Sequence, residues 1–396
     1  MRRGLASIEW DSIPREKLEE NIELMRNGAP VNLSELYVLP KRAKLVHQNF
    51  VDRLERGKWG FLLVMGDNRS GKSAYLKYVQ GLAQNRDYCV VFIELNEERI
   101  KQVGTGHYFS EVFFNNLRLP NGQLFSHSFF SDEAFREKVV KTLKDRQADF
   151  EFFSYPLTTA LISAADSSTQ GNSGVAKAWL RGESQYVADL RSLDIFDKSA
   201  RSLLDVPVAS ILYFERELVT SLGYRGILVL VDEIERAGNL PSAKGRETLF
   251  VLRNLINALV SEESQAGKRG ILQGIFLCFA ISTFYLGFSH VIEVNPIEFK
   301  ARADREGRPK VLITDVPRLG MLLRHSATLL DTEVEEEDLR EIASRIIGCY
   351  SRAYNTEIPI TARDLESRAY NITGGPLAGP NVQQMVKILD DLTKQG

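Results

Sequence analysis

Residues 66–73 have the types and spacing of a loop that binds phosphate groups. They satisfy the pattern G-x-x-x-x-G-K-[ST] at every fixed position. In such a loop the glycines let the backbone curl until successive N–H groups point at a phosphate. Lys72 would reach the β- and γ-phosphate oxygens of a nucleotide, and the Ser73 hydroxyl would coordinate Mg²⁺. The predicted nucleotide-binding residues are Gly66, Asp67, Asn68, Arg69, Ser70, Gly71, Lys72 and Ser73.

Two carboxylates follow a second apolar segment and predict the other half of the site. Residues 227–231 are all apolar and lead directly into Asp232 and Glu233. We expect Asp232 to hold Mg²⁺, directly or through water, at the end of a neighbouring buried strand. Glu233 is then the candidate general base, which orients and deprotonates the attacking water. The alternative is that the two acids only cap the next helix.

Two further positions are weaker candidates for catalytic roles. Ser282 ends another apolar run and is a candidate sensor of the γ-phosphate or of the attacking water, or else a turn cap. Five basic residues lie within residues 300–310. Arg302 is the first candidate among them for an arginine finger that reaches a neighbouring subunit's γ-phosphate. The same cluster could instead contact DNA phosphates or form a solvated loop.

The elements that must position these residues form an α/β fold. Short continuous apolar runs at 61–65, 89–95, 226–231 and 274–281 are typical of strands covered on both faces of a parallel sheet. Helical patterns lie between them, and the helix at 74–84 follows the phosphate loop directly. About 130 residues separate the second and third strands, far more than one crossover helix requires. We therefore predict a mostly helical insertion at about 99–220, with a Ser/Gly-rich loop at 163–174.

The remaining segments predict helices at both ends of the chain. Helical periodicity at 15–28 and 42–57 places N-terminal helices in residues 1–60. The central domain then covers residues 61–317. Residues 318–396 are expected to contain no strand and to form a C-terminal helical lid domain, and its predicted helices are 318–331, 334–353, 361–372 and 379–394.

Composition excludes several classes of protein. With 44% hydrophobic and 26% charged residues the chain is expected to fold, and a net charge of −2 provides no overall attraction to a polyanion. Its three cysteines lie far apart and its five histidines lack ligand-like spacing, so neither a disulfide framework nor a histidine metal site is expected. Residues 270–292 contain no charged side chain but are interrupted by polar residues, which favours a buried strand over a membrane span. We expect a cytoplasmic protein.

The order of strand, phosphate loop, insertion, Asp-Glu strand, polar-tipped strand and helical lid resembles the AAA+ P-loop ATPases. The segments Trp179–Glu183 and Leu222–Arg236 resemble the ATP-binding proteins of the bacterial BREX phage-defence systems, with the similarity running through most of the chain. This resemblance implies an ATPase that acts beside DNA-processing proteins such as helicases or methyltransferases in antiviral defence. We also expect a homo-oligomer, with DNA as a candidate partner. Two features depart from the pattern. Residues 281–284 read Ile-Ser-Thr-Phe, where relatives tend to have Gly-Thr-Pro followed by an acid. The last helix offers Asn381, Gln383 and Lys387 but no sensor arginine.

Three functions remain open from the sequence. The first is an ATPase whose nucleotide state drives the assembly of an oligomer or of a partner complex in DNA-linked antiviral defence. The second is a switch that binds ATP without turnover, and the third is a small-molecule kinase. ATP is favoured by elimination, since neither Asn-Lys-x-Asp nor an LSGGQ signature occurs in the chain.

Overall fold

A computed structural model describes most of the chain. The described residues are 8–66, 69–166, 170–195, 200–234, 273–282, 329–332, 334–375 and 377–394, with isolated residues and short pieces between 236 and 255. The basic cluster at 300–310 and Arg302 lie outside them, as do Asp67 and Asn68.

A six-stranded sheet forms the centre of the protein. Its strands are β1 (Gly60–Gly66), β2 (Tyr88–Glu94), β3 (Leu117–Arg118), β4 (Gly226–Asp232), β5 (Ile275–Ser282) and β6 (Leu329–Asp331). Their order across the sheet is β3-β2-β4-β5-β1-β6. Every pairing is parallel except that of β2 with β3. The α/β fold and its parallel sheet are therefore confirmed.

Helices cover both faces of the sheet. Those before and within the insertion are α1 (Arg15–Arg26), α2 (Lys44–Glu55), α3 (Lys72–Gln84), α4 (Glu97–Val103), α5 (Thr105–Asn115), α6 (Phe125–Ser131), α7 (Glu133–Asp145), α8 (Gln147–Ala165), α9 (Gln170–Leu180), α10 (Val187–Ser192) and α11 (Val208–Ser221). The C-terminal helices are α12 (Glu336–Tyr354), α13 (Ala362–Thr373) and α14 (Ala378–Lys394). Short 3-10 helices lie at Trp10–Ser12, Ser34–Leu36, Lys41–Ala43 and Leu203–Asp205.

Three details differ from the sequence-based expectation. Strands β3 and β6 were not predicted, and β6 lies within 318–331, which was predicted to be helical. Two or three residues are too short a segment to show a periodicity, so only pairing with a neighbouring strand defines them. The predicted loop at 163–174 is largely helical, because α8 continues to Ala165 and α9 begins at Gln170.

Alternate residues of each strand face different helical layers. In β1, Leu62 and Val64 pack in one apolar cluster with side chains of α2 and α3. Phe61, Leu63 and Met65 belong to a larger cluster with the helices of the insertion. This period of two is the geometry of a strand buried on both faces, which explains why the strand sequences are continuously apolar.

A third apolar cluster joins the two ends of the chain. Helix α1 contributes Leu18, Ile22 and Met25 to the same core as side chains of α12, α13 and α14. Arg26 at the end of α1 forms a bidentate ion pair with Asp390, with N–O distances of 2.9 and 2.8 Å. Helix α1 thus packs as a fourth helix of the C-terminal bundle, whereas α2 packs on the sheet.

The uncharged segment 270–292 is partly described. Residues 275–282 form β5, which lies between β4 and β1, so the strand prediction is confirmed for these residues. Among the residues that the structure describes, no helix is both long and apolar enough to cross a bilayer.

Glu215 is a buried acid within the largest apolar cluster. It lies on α11 with an exposed fraction of 2%, and neither of its carboxyl oxygens has a hydrogen-bond partner among the described residues. Burial raises the pKa of Glu215 well above its usual value, because the charged carboxylate would lose its hydration. The folded state therefore holds this group protonated at a pH where the unfolded chain has released the proton.

The stability of the protein is expected to fall as pH rises above about 4.5, the usual carboxyl range, through the raised pKa of folded Glu215. Glu215→Met removes the buried carboxyl and keeps the length of the side chain. At pH 8 we expect it to increase the free energy of unfolding by about 1–3 kcal/mol, and to give a smaller gain near pH 5. Urea unfolding across this pH range measures the effect. Glu217→Met is the control, since Glu217 pairs with Arg146 and Arg216 and its loss should destabilise. A gain for Glu215→Met that does not change with pH would contradict the assignment.

Candidate nucleotide site

The 66–73 loop reverses the chain between β1 and α3. Arg69 has a φ of 67° and Gly71 a φ of 102°, both in the left-handed region. A residue with a side chain is strained at such a φ, and glycine adopts it freely. The reversal brings the first turn of α3 back to the carboxyl end of β1.

The first turn of α3 faces a cavity. Gly71, Lys72, Ser73 and Ala74 line it. The first N–H groups of a helix have no intrahelical partner, and no described side chain caps this helix end. Lys72 is 7% exposed, and its ammonium group donates a hydrogen bond of 3.0 Å to the carbonyl oxygen of Gly66. Backbone donors, a helix dipole and a lysine charge therefore meet at one end of the cavity, an arrangement that attracts anions.

Much of the remaining lining of the cavity is apolar. Its volume is about 420 Å³, within the range of small-molecule sites. The apolar wall consists of side chains from the segment after α1 and from the C-terminal bundle: Met25, Val31, Leu36, Tyr37, Val38, Pro40, Val334, Ile342, Ile346, Ala378 and Val382. A cavity that combines donors for an anion with an apolar wall fits a molecule that carries both phosphates and a flat ring. Sequence patterns did not identify this wall, because its residues come from both ends of the chain.

Asp232 is the last residue of β4 and Glu233 follows it, at the same edge of the sheet as the 66–73 loop. Asp232 was predicted to end a strand next to β1, but β5 lies between β4 and β1. Asp232 is 4% exposed, and its carboxylate accepts a hydrogen bond of 2.9 Å from the Glu233 N–H. Glu233 lines the cavity together with Lys72 and Ser73, so the structure brings these predicted residues together.

Glu233 is held by a nearby arginine. Its φ of 56° is left-handed, which is uncommon for a residue with a side chain. The carboxylate pairs with Arg236, which also donates to the carbonyl oxygen of Leu95 at 3.4 Å. Burial raises the pKa of Glu233, while the positive charge of Arg236 opposes this shift. Tuning of this kind is common for groups that accept protons at functional sites.

The donors that could hold a magnesium ion are oxygen atoms. Ser73 offers a hydroxyl from α3, and Asp232 a buried carboxylate from β4. Oxygen ligands of these types suit Mg²⁺, which usually keeps several waters and binds one or two protein groups together with substrate phosphates. In the described part of the chain, no group of three or more His, Cys, Asp or Glu residues could hold a metal alone.

Helix α14 touches the 66–73 loop directly. The Gly379 N–H donates a hydrogen bond of 3.0 Å to the carbonyl oxygen of Arg69. Gln383 lines the cavity one turn further along. Asn381 is fully buried, and its amide donates to the carbonyl oxygens of Gly375 and Leu377, which makes it a structural residue. Gln383 is thus a polar side chain of this helix that lines the cavity.

Ser282 and Arg302 were the two weaker candidates for catalytic roles. Ser282 ends β5 as the register partner of Gly66, so its backbone lies beside the start of the loop, and its role stays a prediction. The role of Arg302 also stays a prediction, because that residue lies outside the described part of the chain.

Comparison with known protein families identifies a match within the chain. Residues 126–272 match the family described as BREX system ATP-binding protein BrxC/D. The matched region is a little over a third of the 396-residue chain and includes the Asp232–Glu233 pair but not the 66–73 loop. It also includes both segments, 179–183 and 222–236, that carried the resemblance in the sequence. No curated protein matches the chain.

Gly66→Ala tests how tightly the loop packs at its start. A Cβ atom at position 66 would overlap the side-chain oxygens of Ser70 and Thr332. We expect a loss of about 1–3 kcal/mol in the free energy of unfolding, the usual cost of overpacking. Gly81→Ala on α3 is the matched control, because a Cβ atom at position 81 would enter open space. Alanine also has a higher helix propensity than the glycine that it replaces. Chemical unfolding of both variants measures the two changes in free energy of unfolding. Equal stability of Gly66→Ala and the parental protein would contradict the close packing of Gly66 against Ser70 and Thr332.

Proposed function

We propose that this chain, a BrxC/D-like protein in residues 126–272, binds ATP with Mg²⁺ in the cavity beside the 66–73 loop and hydrolyses it. The observation that carries the proposal is the cavity itself. One space of about 420 Å³ is lined by the first turn of α3, by Glu233 and by helices of the C-terminal bundle. The family description names ATP binding within a BREX system, which implies a role in phage defence.

The triphosphate would lie at the polar end of the cavity. The N–H groups of Gly71, Lys72 and Ser73 would donate to phosphate oxygens, as at the N-terminus of other helices that bind phosphate. Lys72 would exchange its bond to Gly66 for bonds to the β- and γ-phosphates. The base would lie against the apolar wall, between the segment after α1 and the bundle helices, where burial of a flat ring is favourable.

Mg²⁺ would neutralise charge on the phosphate oxygens while Ser73 and Asp232 hold it. Glu233 would accept a proton from the water that attacks the γ-phosphate. Its raised pKa supports this role, because a more basic carboxylate accepts a proton more readily. The adjacent Asp232 would hold the metal, so the two acids would have different roles.

Nucleotide binding would couple to the C-terminal bundle, which acts as a lid. Two contacts support the coupling: the Gly379 bond to Arg69 and the position of Gln383 in the cavity. The bundle would shift with the nucleotide state and thereby change the surface offered to a second copy of the chain or to another BREX protein.

Light scattering with and without a non-hydrolysable ATP analogue tests whether assembly depends on nucleotide. A mass that does not depend on nucleotide would argue against self-assembly. DNA contact and the finger role of Arg302 remain parts of this proposal.

A switch that binds ATP without turnover is the second candidate. It is favoured by the last helix, which carries no arginine and places the uncharged Gln383 in the cavity. The pairing of Glu233 with Arg236 also favours it, because an ion pair occupies the candidate base. Phosphate release under steady-state conditions decides between the two functions.

Lys72→Ala is expected to weaken Mg-ATP binding at least about 30-fold, since loss of one partner of a buried charge pair costs roughly 2–5 kcal/mol. A fluorescent ATP analogue provides the titration. Lys44→Ala is the matched control, because Lys44 is also the first residue of a helix but is exposed to solvent. Parental affinity in Lys72→Ala would show that the loop does not bind the phosphates.

Glu233→Gln is expected to keep Mg-ATP affinity within about threefold and to lower kcat by roughly 10²–10⁴, the usual contribution of a general base. Parallel assays of free phosphate and ADP measure turnover and also detect a kinase, which would form ADP without free phosphate. Glu98→Gln, an exposed carboxylate in the first turn of α4, serves as the control. Turnover at the parental rate in Glu233→Gln would remove the residue from the role of base.

A further inference from the structure

We infer that Thr332 is a positioning residue for the phosphate-binding loop, and that it acts by holding Ser70 through a buried hydroxyl pair. This inference rests on the proposed function of the 66–73 loop. The two residues are 262 positions apart in the chain, and their hydroxyl oxygens are 2.6 Å apart. Both are buried, with exposed fractions of 1% for Thr332 and 3% for Ser70.

Thr332 is fixed by the edge of the sheet. β6 pairs with β1 in parallel, up to Met65 opposite Asp331. The next residue, Thr332, gives both its N–H and its hydroxyl hydrogen to the carbonyl oxygen of Met65, at 2.9 and 3.0 Å. Two donors on one carbonyl use both of its lone pairs and define the rotamer of the threonine.

The number of hydrogens on the Thr332 hydroxyl determines which residue of the pair is the donor. A threonine hydroxyl carries one hydrogen, and that of Thr332 is donated to Met65. Ser70 must therefore donate to the Thr332 oxygen across the 2.6 Å separation. The Ser70 hydroxyl hydrogen is then not available to a phosphate, so Ser70 would bind nucleotide through its backbone N–H alone.

Ser70 sits at the middle of the chain reversal. Its neighbours Arg69 and Gly71 both have a left-handed backbone. A bond from Ser70 into the protein interior fixes the loop at this point and leaves the backbone N–H groups on the cavity side. Gly66 completes the packing, because only a residue without a Cβ leaves room for both hydroxyl groups.

Thr332 also stands where the sheet leads into the C-terminal bundle. Val334, two residues later, belongs to the apolar cluster of α1 and the bundle helices. Thr332 and Val334 both line the cavity. The loop is thus fixed on one side by the strand that leads into the bundle, and on the other by the Gly379 bond from the bundle itself.

The test measures Mg-ATP affinity and turnover in a double-mutant cycle. Thr332→Val keeps the shape of the side chain and removes the hydroxyl, and Ser70→Ala removes its partner. Each is expected to weaken Mg-ATP binding about 5- to 50-fold, because one buried hydroxyl is left without its bond. The double variant should bind about as weakly as either single variant, since both changes break the same link. Thr332→Ser should bind within about twofold of the parental protein, and KM should change more than kcat.

The control for a merely structural effect is Thr158→Val. Thr158 is fully buried on α8, its hydroxyl donates to the carbonyl oxygen of Ser154 at 2.9 Å, and it is not among the described residues that line the cavity. This change should lower the free energy of unfolding and leave Mg-ATP affinity unchanged. If Thr332→Val fails to fold, Ser70→Ala and Thr332→Ser still test whether the hydroxyl pair positions the loop.

Two outcomes would overturn the inference. Parental affinity in Thr332→Val and Ser70→Ala would show that the hydroxyl pair does not position the loop. Losses that multiply in the double variant would show that the hydroxyl groups act independently. If Lys72→Ala loses binding in the same experiments, only this inference is wrong. If Lys72→Ala also binds like the parental protein, the proposed function itself is wrong.

Discussion

The chain reversal between β1 and α3 is the feature on which the site depends. It requires Gly66 without a side chain, Gly71 in the left-handed region, and a fixed Ser70 between them. Gly66 and Ser70 pack against Thr332 at the carboxyl edge of the sheet, whereas Gly71 adopts its positive φ because glycine has no Cβ atom. Because the first turn of α3 then points its N–H groups into the cavity, the backbone provides the anion-binding end before any side chain acts.

The order of the sheet decides which residues meet at that edge. β5 and β6 flank β1, and they bring Ser282 and Thr332 to either side of the loop. β4 lies one strand further away and still places Glu233 in the same cavity. A parallel sheet collects the carboxyl ends of its strands at one edge, so residues from distant parts of the sequence form one site. The apolar wall of the cavity forms in a different way, by the packing of α1 with the C-terminal helices. The Arg26–Asp390 ion pair strengthens this packing.

The sequence predicted the parts of this arrangement that depend on local pattern. The runs at 61–65, 89–95, 226–231 and 274–281 are strands, because continuous burial on both faces leaves a continuous apolar signal. The family resemblance carried by 179–183 and 222–236 is confirmed by the match over 126–272.

The parts that were missed depend on contacts between distant residues. β6 has three residues, too few for a periodic signal, and Thr332 at its end is recognisable only from its bonds to Met65 and Ser70. The association of α1 with the C-terminal bundle was missed for the same reason, since amphipathic helices do not encode which partner they pack against.

The central claim is that the cavity beside α3 binds Mg-ATP, and calorimetry of the purified parental protein tests it most directly. Titration with Mg-ATP is predicted to give a saturable heat with one site per chain, and adenosine alone is predicted to bind far more weakly because it lacks the phosphates. The absence of any heat of binding with Mg-ATP, or equal affinity for adenosine, would contradict the account.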